Sequence, residues 1–233
     1  MAAEDTGRGL GGLWSRLGGR RATDPPVRPD AHIIASAPAF PTKALRKFLT
    51  ILSNREAPVL LDLGPVIGTN VTFFGEALGC KVFIEDLYSD LERHLKSNAP
   101  EDLAELLRKR LAHPDASIDG VLAWDFIDYL DQPAAQVLAS ELIRVMKTDA
   151  ALLAFFSTTV RADQNYTKYV VVDDQTLRHR PHAASRGRQR VLQNRDIIRL
   201  FDGLRVSESF LLQTNLREIL FRKPAYLAAP GSV

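Results

Sequence analysis

The segment Val59-Leu60-Leu61-Asp62-Leu63-Gly64-Pro65-Val66-Ile67-Gly68 decides the fold of this chain. Its short apolar run is typical of a buried parallel strand, and the acid and glycine that follow are typical of a tight turn. Gly64 and Gly68 have no Cβ, so a ligand can approach the backbone of this turn. We therefore interpret the segment as a strand that enters a ligand-binding turn, followed by a helix over residues 69–78.

Strands and helices alternate through the rest of the chain. The apolar periodicity predicts a helix after Pro41, further helices over 98–111, 132–147 and 194–201, the last capped by Asn194, and strands over 81–85, 118–124, 151–156, 205–213 and 216–222. Repeated strand, helix, strand units form right-handed parallel crossovers, and the last two strands indicate a hairpin. The sequence therefore predicts an α/β fold with a doubly wound, Rossmann-like sheet and a C-terminal antiparallel hairpin.

The composition is typical of a globular protein, with 45% hydrophobic and 25% charged residues. The apolar runs are too short to cross a bilayer and no signal peptide is evident, so we expect a cytoplasmic protein without a membrane partner. Cys80 is the only cysteine, which excludes an internal disulfide and a thiolate cluster, and no metal site is predicted. Residues 1–38 are expected to form a disordered N-terminal tail, and 39–233 the folded domain.

Two acids end the second predicted strand. Glu85 and Asp86 follow Gly68 by seventeen and eighteen residues. In doubly wound sheets the ligand binds at the carboxyl ends of the strands, where a carboxylate can accept hydrogen bonds from both ribose hydroxyls. Successive strand side chains point in opposite directions, so only one of the two acids would face the ligand, and the sequence leaves the choice between them open. Together the glycine turn and these acids suit a nucleoside cofactor.

In these motifs the chain resembles the class I S-adenosylmethionine-dependent methyltransferases, from about residue 41 to 223. The likeness is carried by Leu61-Asp62-Leu63-Gly64 with Gly68, by Ile84-Glu85-Asp86-Leu87, and by the segments 113–125 and 141–147. The resemblance implies the class I methyltransferase fold and S-adenosylmethionine as cofactor. It also implies site residues: Asp62, Gly64, Gly68, Trp124 and either Glu85 or Asp86 for the cofactor, with Asp125 or Tyr129 as a base if the acceptor must lose a proton.

The chain also departs from the family. Val66 replaces the glycine common at the centre of the first motif, and the predicted helix over 98–111 lies where the third strand would be. These departures favour an alternative, a binding or regulatory protein of the same fold with a degenerate cofactor site. Asp125 and Asp128 could equally be solvated loop or helix-cap carboxylates. A nicotinamide dehydrogenase is disfavoured, because the turn lacks the Gly-x-Gly-x-x-Gly pattern.

A basic insertion is predicted over about 160–193. The stretch from Arg178 to Arg195 contains no acid, and its guanidinium groups could recognise a small anionic acceptor. The candidate contacts are Tyr166, Arg186, Arg188 and Arg190. A phosphate-binding surface for nucleic acid is a further alternative, disfavoured by the lack of interleaved aromatic residues, and an ordinary solvated loop is another.

Overall fold

The computed structural model describes residues 37–97, 102–159 and 164–225. The predicted N-terminal tail lies outside these residues except for positions 37 and 38. The strands are β1 (Ala39–Pro41), β2 (Val59–Asp62), β3 (Lys81–Ile84), β4 (Ile118–Trp124), β5 (Met146–Ser157), β6 (Asn165–Asp173), β7 (Thr176–Ala183), β8 (Arg205–Leu211) and β9 (Leu216–Arg222). The α-helices are α1 (Leu45–Ser53), α2 (Gly68–Thr72), α3 (Leu87–Lys96), α4 (Leu103–Arg110), α5 (Gln132–Val145) and α6 (Asn194–Leu200).

Six strands form the main sheet, in the order β3-β2-β4-β5-β9-β8. The first four are parallel, and β9 inserts antiparallel between β5 and β8. This is the doubly wound sheet with a C-terminal antiparallel hairpin that the sequence predicts, and the fold prediction is confirmed. Within the described ranges the sheet has no strand beyond β3, and α4 lies where a third strand would follow in the chain.

Helices cover both faces of the sheet because successive strand residues point to opposite sides. On one face, Phe48 of α1 packs in a buried cluster with Leu122 of β4. On the other, Leu138 of α5 packs in a second cluster with Val121, the neighbour of Leu122. Burial on both faces explains why these strands are continuous apolar runs.

Several elements differ from the predicted ones. The helix after the glycine turn is α2 followed by a π-helical turn over Phe73–Ala77. Helix α3 was not predicted; the Asp86 carboxylate caps it by accepting a hydrogen bond from the Ser89 N–H at 3.2 Å. The last helix begins after Gln193, so Asn194 is its first residue and not its cap.

The insertion forms a small antiparallel sheet in the order β1-β7-β6. The first part of the arginine-rich run therefore folds back as β7 on β6. Asn70 of α2 fixes this sheet to the helix after the glycine turn: its Nδ2 donates to the Tyr169 carbonyl, and its Oδ1 accepts from the Val171 N–H, both at 2.8 Å. The insertion thus packs on helix α2, after the glycine turn.

The carboxylate of Glu218, in β9, caps helix α1 from a distance in the chain. Its Oε2 accepts hydrogen bonds from the backbone N–H groups of Lys43 at 2.8 Å and Ala44 at 2.9 Å. A helix N-terminus has N–H groups without intrahelical partners, and Ala44 provides no side-chain cap. Glu218 therefore ties the start of α1 to the C-terminal hairpin.

None of the helices in the described ranges is long and apolar enough to cross a membrane.

Candidate functional site

The Asp62 carboxylate lies buried where β2 ends. Its Oδ1 accepts hydrogen bonds from the Gly64 N–H at 2.8 Å and from the Trp124 indole Nε1 at 2.6 Å. Both donors are neutral, and in the described part of the chain no Lys, Arg or His nitrogen lies within 4.0 Å of this carboxylate. Burial raises the pKa of Asp62 to about 6. At neutral pH the site therefore holds a buried negative charge without a cationic partner.

The two glycines of the turn differ in the space around them. A Cβ added at Gly64 would lie 2.9 Å from the Trp124 indole and 3.1 Å from Asp62 Oδ1. A Cβ added at Gly68 would meet nothing within 4 Å. Val66 between them is 67% exposed, so its side chain does not fill the turn. The turn is thus closed by Trp124 at the strand end and open at the helix end.

The two acids after β3 face different surroundings. Glu85 pairs with Arg110 Nη2 at 3.1 Å and with His113 Nε2 at 3.0 Å. Asp86 instead raises the pKa of Asp62 through its charge, after the larger effect of burial. The backbone next to Asp86 contacts the turn, since the Leu87 N–H donates to the Leu63 carbonyl at 3.1 Å. The Glu85 side chain is directed towards helix α4 and the segment after it.

Trp124 forms the wall between the glycine turn and the insertion. Its backbone adopts a positive φ of 47° where β4 ends, a conformation uncommon for a bulky residue. The indole is buried, donates to Asp62, and stacks on the Tyr169 ring with centroids 5.2 Å apart and planes 9° apart. Trp124 is thus in contact with the glycine turn on one side and with the insertion on the other.

A buried cluster of charged groups follows Trp124. Asp125 accepts hydrogen bonds from the Tyr88 hydroxyl at 2.5 Å and from Arg188 Nη2 at 2.6 Å, and Arg188 Nε lies 3.6 Å from Asp128 Oδ2. Both carboxylates are 0% exposed, so neither is a solvated loop carboxylate. Asp128 Oδ2 also accepts from the Ser157 N–H at 2.7 Å.

The charges of this cluster are unequal. Burial, with the nearby Asp125 charge, raises the pKa of Asp128 well above its usual range. Burial would lower the pKa of Arg188, but the Asp125 carboxylate reverses this and raises it. The cluster therefore combines an ion pair between Asp125 and Arg188 with an Asp128 carboxyl whose surroundings favour its protonated form.

The remaining predicted residues are distributed around this cluster. Tyr129 is buried, and its hydroxyl donates to the Asn165 carbonyl at 2.8 Å. Tyr166 stacks on Tyr88 with ring centroids 4.6 Å apart. Arg186 and Arg190 are half-buried and form no ion pair with other described residues. The structure thus separates Arg188, which points inward, from the two neighbouring arginines of the predicted set.

Asn70 and Tyr88 contribute to this region although no sequence pattern indicated them, and Asp128, considered above with Asp125, lies in the buried cluster. Tyr88 lies in the unpredicted helix α3, two residues after Asp86. Asp128 lies three residues after Asp125, in a 3₁₀ turn over Phe126–Tyr129. A three-residue spacing of acids directly after a buried strand is the one signal that could have indicated this pair.

No protein-family model matches the sequence, and no curated protein matches it. Among solved structures, the chain is similar to 1,6-didemethyltoxoflavin-N1-methyltransferase of Burkholderia thailandensis with bound S-adenosylhomocysteine (16% identity, 78% of this chain and 79% of the other, TM-score 0.47). It is also similar to a SAM-dependent methyltransferase of Archaeoglobus fulgidus (14%, 77% and 91%, TM-score 0.46). A third similar structure is the [4+2]-cyclase SpnF (11%, 77% and 81%, TM-score 0.46). Likenesses of this degree leave the function to be argued from the site itself.

Proposed function

We propose that this protein is an S-adenosylmethionine-dependent methyltransferase whose cofactor binds over the glycine turn. The observation that carries the proposal is the Asp62 carboxylate, buried beside an open turn with only neutral hydrogen-bond donors. A buried charge is costly unless it is paired. The ammonium and sulfonium groups of S-adenosylmethionine are positively charged and would supply the missing partner.

The other predicted cofactor residues support this assignment. The backbone at Gly68 is accessible, because a Cβ there would meet nothing within 4 Å. The backbone next to Asp86 contacts the turn, so we assign the ribose hydroxyls to Asp86 and not to Glu85, which is held by Arg110 and His113. Trp124 limits the space at the strand end of the turn.

The bound cofactor would supply a methyl group that its sulfonium already activates. What the protein must add is positioning and exclusion of water. The rings of Trp124, Tyr169 and Tyr88 are buried beside the turn and exclude water. Both oxygens of Asp125 already accept hydrogen bonds, so we assign Asp125 to positioning of Tyr88 and Arg188 and not to proton removal.

Calorimetric titration with S-adenosylmethionine tests the proposal, with Gly68→Val as the decisive variant. The wild type should bind, and Gly68→Val should bind about five- to thirtyfold more weakly, because a branched side chain would crowd the ligand at a cost of about 1–2 kcal/mol. Gly75→Val is the matched control, since an added Cβ at Gly75 also meets nothing within 4 Å. If both variants bound S-adenosylmethionine with equal affinity, the cofactor would not lie over Gly68. Binding of NAD and not of S-adenosylmethionine would indicate a dehydrogenase.

One observation favours a second candidate, a binding protein of this fold that transfers no methyl group. The Trp124 indole lies where a side chain on Gly64 would lie, 2.9 Å from the added Cβ, and so occupies space at the strand end of the turn. The same titration distinguishes the two candidates. Absence of S-adenosylmethionine binding by the wild type would favour the second.

The ribose assignment predicts different effects for the two acids after β3. Asp86→Ser keeps a helix-capping hydroxyl for α3 but removes the carboxylate, and should weaken S-adenosylmethionine binding by about 1.5–3 kcal/mol, the range for hydrogen bonds to a charged group. Glu85→Gln should leave the dissociation constant unchanged. Calorimetry on both variants measures this, and the opposite pattern would assign the ribose to Glu85.

A further inference from the structure

A cavity of about 690 Å³ lies at the carboxyl end of β5, between the small sheet and the turn that joins β8 to β9. Its volume is in the range of small-molecule sites. Phe40, Leu212 and Leu216 contribute apolar surface to its lining, and Thr167 and Thr214 contribute hydroxyl groups. The cavity is thus shaped for a ligand with an apolar body and polar substituents.

The charged side chains that line the cavity are basic. Lys43 and Arg188 line the cavity, and no Asp or Glu is among the lining residues of the described chain. The Arg188 charge is balanced by Asp125 at 2.6 Å. Burial lowers the pKa of His179, another lining residue, to about 4, so this imidazole is neutral at pH 7.

Lys43 therefore carries the unbalanced positive charge of the cavity. Its Nζ lies over the Phe210 ring, 5.8 Å from the centroid, and has no carboxylate partner within 4.0 Å in the described ranges. The Thr214 hydroxyl is buried and has no hydrogen-bond partner among these residues. Both groups are available to a ligand that carries negative charge and accepts hydrogen bonds.

The cavity is connected to the cofactor residues by a column of rings. His179 packs on Tyr169 with centroids 5.0 Å apart, and Tyr169 stacks on Trp124 at 5.2 Å. Trp124 in turn donates its indole hydrogen to Asp62. The inner end of the cavity also reaches Arg188, whose partner Asp125 follows Trp124 in the chain. The buried rings of Tyr169 and Trp124 therefore lie between the cavity and Asp62, and the cavity adjoins the proposed site at Arg188 and its partner Asp125.

We propose that this cavity binds a small aromatic anion, with its ring against Phe40 and its negative charge towards Lys43. The proposal rests on the methyltransferase function only in naming this anion as the acceptor; the binding site itself is independent of it. Lys43 and Thr214 take the place of the arginines 186 and 190 as the groups that recognise the anion.

Fluorescence titration with 8-anilinonaphthalene-1-sulfonate tests the site in a Trp14→Phe background, where Trp124 is the only tryptophan. The dye should bind to saturation with one molecule per chain and receive energy from Trp124. The neutral dye N-phenyl-1-naphthylamine has the same aromatic body without the sulfonate, and should bind about fivefold more weakly or worse. Equal affinity for the two dyes would overturn the requirement for an anion.

Two lysine variants test whether Lys43 is the group that binds the sulfonate of the dye. Lys43→Met should weaken sulfonate binding about three- to fivefold, as expected for a partly exposed charge pair. Lys81→Met is the matched control, because Lys81 is also exposed and its Nζ also lies over a phenylalanine ring, Phe83, at 4.8 Å. Equal effects of the two substitutions would refute the site. If the wild type bound the dye but not S-adenosylmethionine, the proposed function would be refuted and the anion site would not.

Discussion

Arg188→Met is expected to destabilise the protein by about 3–5 kcal/mol, the range for removing one partner of a buried ion pair. The substitution leaves the Asp125 carboxylate, which is 0% exposed, without a cation. Methionine fills a similar volume, so the loss of charge and not of packing should dominate. The free energy of unfolding in urea measures the effect.

Two further variants test whether the loss of stability comes from the ion pair between Asp125 and Arg188. Adding Asp125→Asn to Arg188→Met removes the unpaired charge and should recover about 1–3 kcal/mol, the penalty for an unsatisfied buried group. Arg186→Met, two residues away and without an ion pair among the described residues, should change the stability by no more than about 0.5 kcal/mol. If Arg188→Met behaved like Arg186→Met, the inward placement of Arg188 would be wrong.

Asp62→Asn is expected to improve stability and to damage cofactor binding. The amide oxygen can accept the hydrogen bonds of the Gly64 and Trp124 donors, while the buried charge is removed. Because the pKa of Asp62 is raised from 3.8 to about 6 in the folded protein, ionisation of the carboxylate opposes folding by up to about 3 kcal/mol above pH 6. S-adenosylmethionine binding should fall at least about thirtyfold, since a partly buried charge pair is worth about 2 kcal/mol or more.

The stability gain from Asp62→Asn should depend on pH. Between about pH 4 and pH 6 the folded protein binds the Asp62 proton more tightly than the unfolded chain does, so the stabilising protonation is lost as the pH rises. The stability gain of Asp62→Asn over the wild type should therefore be near zero below pH 4 and reach its maximum above pH 6. Urea unfolding at pH 4 and pH 8 measures this. A constant difference would show that Asp62 is not a buried charge.

The fold could be predicted from the sequence where burial makes a strand a continuous apolar run. Strand β4, Ile118–Trp124, has the predicted bounds, and the closing hairpin was predicted to within two residues. Helix α3 was not predicted, although its apolar residues Leu87, Leu91 and Leu95 recur at helical spacing, because its cap, Asp86, was interpreted only as a ligand for ribose.

The candidate site could be predicted only in part. The glycine turn and the two acids are local motifs, and they lie at the carboxyl ends of β2 and β3. The partnership of Asp125 with Arg188 joins positions 63 residues apart, and nothing in the arginine-rich run distinguishes Arg188 from its neighbours. Trp124 was selected for the cofactor site, but its hydrogen bond to Asp62 was not predicted, because that contact depends on the positive φ at the end of β4. Roles set by such long-range contacts do not follow from spacing.

The cap that Glu218 provides to helix α1 has a consequence for synthesis on the ribosome. The N–H groups of Lys43 and Ala44 are among the first parts of the domain to be made, and their acceptor follows 174 or more residues later. Until β9 emerges, α1 has no cap and β5 has an open edge. A nascent chain of this protein therefore remains incomplete until β9 has been translated, and until then its exposed sheet edge is a place for chaperones to bind.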